Sequence, residues 1–162
     1  MSTEHRLTRA LRELLQQQRT AALGTVSADG TPFVSLVPYA IDAQQTCLVI
    51  HVSGLAAHTS NQQREPRVSL LVHHSATAQE PVHALPRVTL LARAELLAPE
   101  APETLACRAV YLQRFPEAEP LTALGDFRFV RLHLLGARQV AGFGAARSLG
   151  GDEVRQTLGP VP

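Results

Sequence analysis

The sequence predicts a mainly β domain, an antiparallel β-barrel or α+β sheet with flanking helices, and three features point to it. Extended runs of alternating or β-branched residues recur at 32–39, 47–53, 67–73, 88–97 and 126–134. An Asp29-Gly30 turn separates two such runs, as in a hairpin. Helical periodicity is confined to the N-terminus and to one later segment.

Taken in order, Leu7, Leu11, Leu14 and Leu15 lie at helical spacing among arginines and glutamines, which predicts an amphipathic helix ending near Arg19. From Ala21 the period changes, and 21–27 with 32–39 form the hairpin around Ala28-Asp29-Gly30. A polar break at 42–45 leads to a third strand, Cys47 to Ser53, in the order of an antiparallel meander. Residues 54–64 suit a short helix that Pro66 ends, and 67–73 continue as a strand. A loop is expected over 75–86, then a strand from Val88 to Leu97. A helix from about Pro99 to Arg114 opens with acidic residues, as a helix N-terminus favours. Leu121 to Leu124 predict one short helical turn, 126–134 a half-buried strand and Val140 to Phe143 a last short strand. One domain over 1–146 is expected, with a loosely ordered tail over 147–162.

The 162 residues carry a formal net charge of +1, with 18% charged and 45% hydrophobic residues, the profile of one soluble domain. All fifteen positive side chains are arginine. Schiff-base lysines, phosphate-loop lysines and lysine bases are thereby excluded. Near-neutral charge argues against nucleic acid as a partner. Cys47 and Cys107 lack CxxC spacing, so neither a zinc site nor a disulfide framework is indicated, and a reduced, cytoplasmic protein is expected. Ser2 to Gln18 contains no apolar core of signal-peptide length, and no run approaches the roughly 20 residues of a membrane span.

Several residues invite chemistry. His73 and His74 are adjacent on a strand and point to opposite faces, which prevents joint chelation of one ion. His51 and His58, with Ser53, Thr59 and Asn61, gather imidazole, hydroxyl and amide groups around a helix N-terminus. Two readings stay open there: an anion site, or ordinary capping by Ser53. Gly142-Phe143-Gly144 lacks the third glycine of a dinucleotide fingerprint and instead suits a turn or a close approach to another chain. Ser35 and Ser148 have no GxSxG context, so a hydrolase nucleophile is unsupported. Among the strand arginines Arg87, Arg93, Arg128 and Arg131, most are expected on solvated faces.

The block Asp29 to Pro32, Phe33 to Tyr39, Leu48 to Ser53, Leu55 to Asn61 and Pro66 to Leu71 resembles the pyridoxamine 5′-phosphate oxidase-like, FMN-binding split-barrel superfamily. Tyr111 to Ala118, Gly125-Asp126-Phe127 and Gly142 to Ala145 are similar to its haem-utilisation branch. The resemblance covers roughly Arg12 to Ala146. It implies a six-stranded antiparallel FMN-binding split barrel and a homodimer with two cofactor sites at its interface. Carried over by position, Ser35, Leu36, Val37 and Pro38 lie beside the isoalloxazine, and His51 with Val52 lines the cofactor. His58 and its neighbours approach the phosphate, and Arg87 stands where the oxidase has a flavin-contacting glutamine.

The departures narrow the chemistry. The oxidase pattern has arginine at Ser35, lysine at Ala40 and Arg-Lys at Ala57-His58, so vitamin B6 oxidation is not expected. Haem-degrading members carry an axial histidine shortly after the Gly-Phe-Gly turn, where this chain has Arg147, leaving His133 or His83 as substitutes. The leading expectation is an FMN-dependent oxidoreductase, with no catalytic residue identified. The alternatives are a haem-binding or haem-degrading protein and a non-catalytic ligand-binding dimer.

Overall fold

A computed structural model describes residues 4–161 of the protein. Residues 1–3 and 162, at the ends of the expected domain and tail, lie outside the described residues. The helices are α1 (Arg6–Gln17), α2 (Ala57–Arg64), α3 (Pro102–Arg114), α4 (Glu119–Thr122) and α5 (Gly151–Leu158). The strands are β1 (Thr20–Val26), β2 (Pro32–Pro38), β3 (Ala40–Asp42), β4 (Cys47–Ser53), β5 (Arg67–His73), β6 (Arg87–Leu96), β7 (Phe127–Val140) and β8 (Ala146–Gly150).

All strand pairs are antiparallel, in the order β2-β1-β5-β6-β7-β4-β3, with β8 on β7. β2 and β3 stand at opposite ends of this order yet are separated only by Tyr39. The sheet's two ends are therefore one extended segment, and the sheet must curl into the split barrel. The split barrel is as expected, but its sheet has eight strands rather than six, because one extended segment is broken into β2 and β3 and β8 adds to β7.

The barrel interior holds one apolar core, including Leu23, Leu48, Ile50, Leu70, Leu90 and Leu132. α1 closes it with Leu11, Leu14 and Leu15. A second core lies where α3 covers β4 and β7, joining Cys47, Val49, Phe129, Cys107, Tyr111 and Phe115. No helix among the described residues is long and apolar enough to cross a membrane.

Three elements differ from the sequence reading. An additional strand, β3, occupies 40–42 and takes in only the first residue of the expected polar break, Asp42, which caps the following turn by accepting from the Gln44 and Gln45 N–H groups at 3.1 and 3.0 Å. β7 runs through to Val140, because the pairing register shifts opposite Leu91/Ala92 and leaves Leu135 as an extra, exposed residue. That bulge interrupts the alternation that marks a strand. Of the expected strand over 140–143, Val140 ends β7 and 141–143 lie in the β7–β8 turn. The tail from 147 is not loosely ordered: β8 pairs with β7, and α5 buries Val154, Thr157 and Leu158. Arg12 fastens it, donating to the carbonyls of Thr157 and Gly159 at 2.8 and 2.9 Å.

Candidate functional site

The β4–α2 connection is shaped by backbone approach. Gly54 N–H donates to the Asp126 carbonyl at 2.6 Å, and a Cβ on Gly54 would lie 2.9 Å from that oxygen. The Gly125-Asp126-Phe127 motif is thus packed directly on Ser53-Gly54. Ser53 does not cap α2. Its Oγ accepts from Leu55 N–H at 3.2 Å, while the N-cap position is Ala56, which provides no side-chain acceptor. The first turn of α2 keeps N–H groups without a side-chain partner, a setting that favours an anion.

Of the predicted site residues, Ser35 and His58 come together, with Ser35 Oγ 3.0 Å from His58 Nδ1. Burial pushes the His58 pKa below the ordinary histidine value. Thr59 and Asn61 are committed to the fold: Thr59 Oγ1 donates to Ser53 O at 2.6 Å, and Asn61 Nδ2 donates to Thr25 Oγ1 at 2.9 Å. Val37 and Val52 point into the barrel, leaving only backbone for a ligand. Leu36 and Pro38 are exposed on β2.

His51 sits in an aromatic cluster, its ring centroid 4.9 Å from Phe127, 4.4 Å from Phe129 and 5.7 Å from Tyr111. Burial there lowers its pKa to about 4. Register explains the cluster, because His51 pairs with Phe129 and Ser53 with Phe127 on one sheet face beneath α3. Sequence reasoning missed this surrounding, although Phe127 and Phe129 alternate on β7 as one face requires. It also missed Gln62, which is 1% exposed, donates to His58 O at 3.0 Å and leaves a buried Oε1 without a partner. Nothing in a polar helix sequence distinguishes that residue from its solvated neighbours.

The Gly142-Phe143-Gly144 turn needs its glycines, with φ of 139° and 71° at Gly142 and Gly144. It presents Phe143 at 74% exposure, and Gly142 lies against Ala84 O, next to exposed Val82 and His83. Arg87 is tied to this corner by donating to Leu85 O at 2.9 Å. Arg147 turns away from it, donating to Gln139 Oε1 at 2.8 Å and to Thr8 Oγ1 at 3.3 Å. His133 is distant in topology, 3.1 Å from Glu95 on the β6–β7 surface. Among the described residues no group of three or more His, Cys, Asp or Glu side chains is arranged to hold a metal ion. Cys47 and Cys107 are buried, and desolvation raises both thiol pKa values, to about 12 for Cys47. Neither is an activated nucleophile.

Among the described residues, β2, β5 and β6 leave large apolar side chains exposed on the face away from the core. Register aligns Leu36 with Ala22 and Leu71, and Val34 with Gly24, Ser69 and Leu91. Leu36, Val34 and Leu91 are 72%, 67% and 53% exposed, a contiguous apolar strip of the kind that marks an interaction surface.

Comparison with known proteins agrees with this geometry. The chain is 32% identical over 152 residues to heme oxygenase HutZ of Vibrio cholerae, covering 92% of this chain and 84% of that protein. It is 32% identical over 138 residues to the non-canonical heme oxygenase HOZ, chloroplastic, of Arabidopsis thaliana, covering 84% of this chain but 40% of the plant protein. The structure of a heme binding protein from Mycobacterium smegmatis superposes with a TM-score of 0.83 at 27% identity, covering 96% of this chain and 62% of that one. Residues 7–141 match the family described as pyridoxamine 5′-phosphate oxidase. With a curled antiparallel barrel over that span and relatives of this kind, the chain belongs to the pyridoxamine 5′-phosphate oxidase-like split-barrel family, in its haem-utilisation branch.

Proposed function

We propose that this protein binds haem as a homodimer. The observation that carries the reading is its likeness, over nearly the whole chain, to a relative named as a haem oxygenase. When bound, haem supplies an iron centre on a broad apolar plane with two carboxylates. The corner at the Gly-Phe-Gly turn suits such a molecule, with exposed Phe143 and Val82 for the plane and the Arg87 guanidinium for a carboxylate. The position after the turn does not suit the iron: Arg147 is a permanent cation whose guanidinium is engaged by Gln139 and Thr8. His83 is the accessible imidazole beside the turn and takes that role in this reading. The apolar strip around Leu36 and Val34 meets a second copy, which supports two equivalent sites. Free, buried thiols support a reducing, cytoplasmic setting.

Hemin titration tests this. A saturable Soret shift is expected, lost in His83→Ala and retained in His133→Ala. No saturable shift overturns haem binding, and a shift indifferent to His83 overturns the ligand assignment alone.

A second reading, FMN binding with flavin-dependent electron transfer, is favoured by one observation. The Ser35–His58 pair stands at the uncapped first turn of α2, where a phosphate is attracted. Flavin absorption in the purified protein, or a rise in Tm on adding FMN, is its expected signature; the absence of both removes it.

A further inference from the structure

We propose that the groove between α1, β3 and α3 is a binding site for a short, extended peptide with free termini, which adds as a strand to the open edge of β3. β3 ends the sheet order and pairs only with β4. Seven consecutive residues, Tyr39 to Gln45, line one cavity of about 700 Å³, and all three residues of β3 are among them. Side chains of consecutive strand residues alternate between faces, so three in a row lining one space means that the backbone edge faces it. Tyr39 N–H, at the start of that edge, donates to Arg19 O at 3.1 Å, and beyond it the side of β3 away from β4 has no strand partner among the described residues, the basis of strand addition.

The opposite wall is a stripe of α3, with Ala106, Ala109, Val110 and Gln113 at helical spacing. Its small side chains leave room for another backbone. The cavity volume falls within the range of sites that enclose small ligands.

Charge fixes the length and direction of the occupant. Asp42, 5% exposed, spends Oδ1 on the Gln44 and Gln45 N–H groups, and its Oδ2 has no hydrogen-bond partner among the described residues. Arg114 donates only through Nη2, to Gln16 O at 2.8 Å and Gln18 O at 3.0 Å, and forms no ion pair among the described residues. A carboxylate and a guanidinium thus line one groove without pairing to each other. Asp42 and Arg114 both line the cavity; Asp42 acts electrostatically on Cys107, in the middle of α3, and Arg114 ends that helix. Along α3, the step from Cys107 to Arg114 is about 10 Å at 1.5 Å per residue. An extended chain of about three or four residues spans it. Its ammonium terminus lies over Asp42 and its carboxylate over Arg114, which makes it antiparallel to β3.

Calorimetric titration with trialanine near neutral pH is the test. One saturable site per chain is expected, with N-acetyl-trialanine amide bound about ten-fold or more weakly. Asp42→Asn is expected to weaken trialanine while leaving the N-acetylated peptide unchanged. Ala109→Leu, at an exposed helix position, fills the groove and is expected to abolish binding with an unaltered far-UV CD spectrum. The proposal is overturned by an absence of saturable heat up to about 10 mM peptide, by equal affinity for free and capped peptides, or by binding that survives both Ala109→Leu and Ala106→Leu. A change of oligomeric state on filling the groove assigns the edge to a second copy of the chain and overturns the peptide as occupant. The comparison of free and capped peptides uses the unmodified protein, so a misfolded variant leaves the test intact.

Discussion

Ser35 Oγ lies 3.0 Å from His58 Nδ1, joining β2 to the first turn of α2 across the candidate anion site. Burial lowers the pKa of His58 from 6.5, and that of His51 from 6.5 to about 4. Both rings are therefore neutral in the folded protein at neutral pH, whereas the unfolded chain takes up protons near 6.5. The unfolded state binds more protons below that value, so this contribution to stability is complete above pH 6.5 and is lost as the pH falls through the folded values. For His51 the shift corresponds to about 3 kcal/mol, which solvent screening at a partly buried ring reduces to on the order of 1 kcal/mol. Thermal melts from pH 7.5 down to about 4.5 should show a falling Tm, with a shallower fall in His51→Phe. A Tm that rises on acidification contradicts the assignment. Any gain in phosphate affinity through His58 protonation is likewise confined to pH below 6.5, lower than an ordinary histidine implies.

The fold was legible wherever local pattern and tertiary pairing agree. β5 is read residue for residue at 67–73, because its alternation and the flanking Pro66 act locally. The reading stopped where the cause is distant. Leu135 bulges because β6 sets the register of β7, and α5 is ordered because Arg12, far away in sequence, holds its last carbonyls. Within the site, the Ser35–His58 contact depends on β2 and α2 converging, yet both residues belonged to the quoted family block. The aromatic shell of His51 and the orphaned Oε1 of Gln62 are products of packing, which no single-residue pattern encodes.

Gly54→Ala should destabilise the β4–α2 connection. The added methyl would meet the Asp126 carbonyl at 2.9 Å, a backbone atom that cannot swing aside. Overpacking of this kind costs about 1–3 kcal/mol, measurable as a shift in the urea midpoint. An unchanged midpoint would mean that the Asp126-Phe127 segment moves freely from Ser53-Gly54. Gly125→Ala is the control, since nothing lies within 4 Å of its Cβ position.

Leu36→Arg tests the sheet face. Leu36 is 72% exposed, so an arginine there leaves the folded chain intact, with less than about 0.5 kcal/mol of change in chain stability. In a dimer joined through this face the same change buries an unpaired charge and separates the copies. Sedimentation should give the mass of one chain for the variant and of two for the unaltered protein. A variant that stays dimeric moves the interface elsewhere.

Arg12 should prove the strongest single link between α1 and the C-terminus. Its guanidinium is buried and donates to Glu4 Oε1 at 2.7 Å and to the carbonyls of Thr157 and Gly159. Those carbonyls end α5, where a helix leaves acceptors unpaired. Arg12→Met keeps the bulk of the side chain and removes every donor, at a cost on the order of 3 kcal/mol. The loss should fall first on α5, so amide exchange at Val154 to Leu158 should accelerate before that of the barrel strands. Arg12→Lys should recover only part of the protection, because a single ammonium cannot reproduce the planar fork that spans three acceptors. Uniform exchange across α5 and β6 in the methionine variant would show instead that α5 unfolds only with the whole barrel.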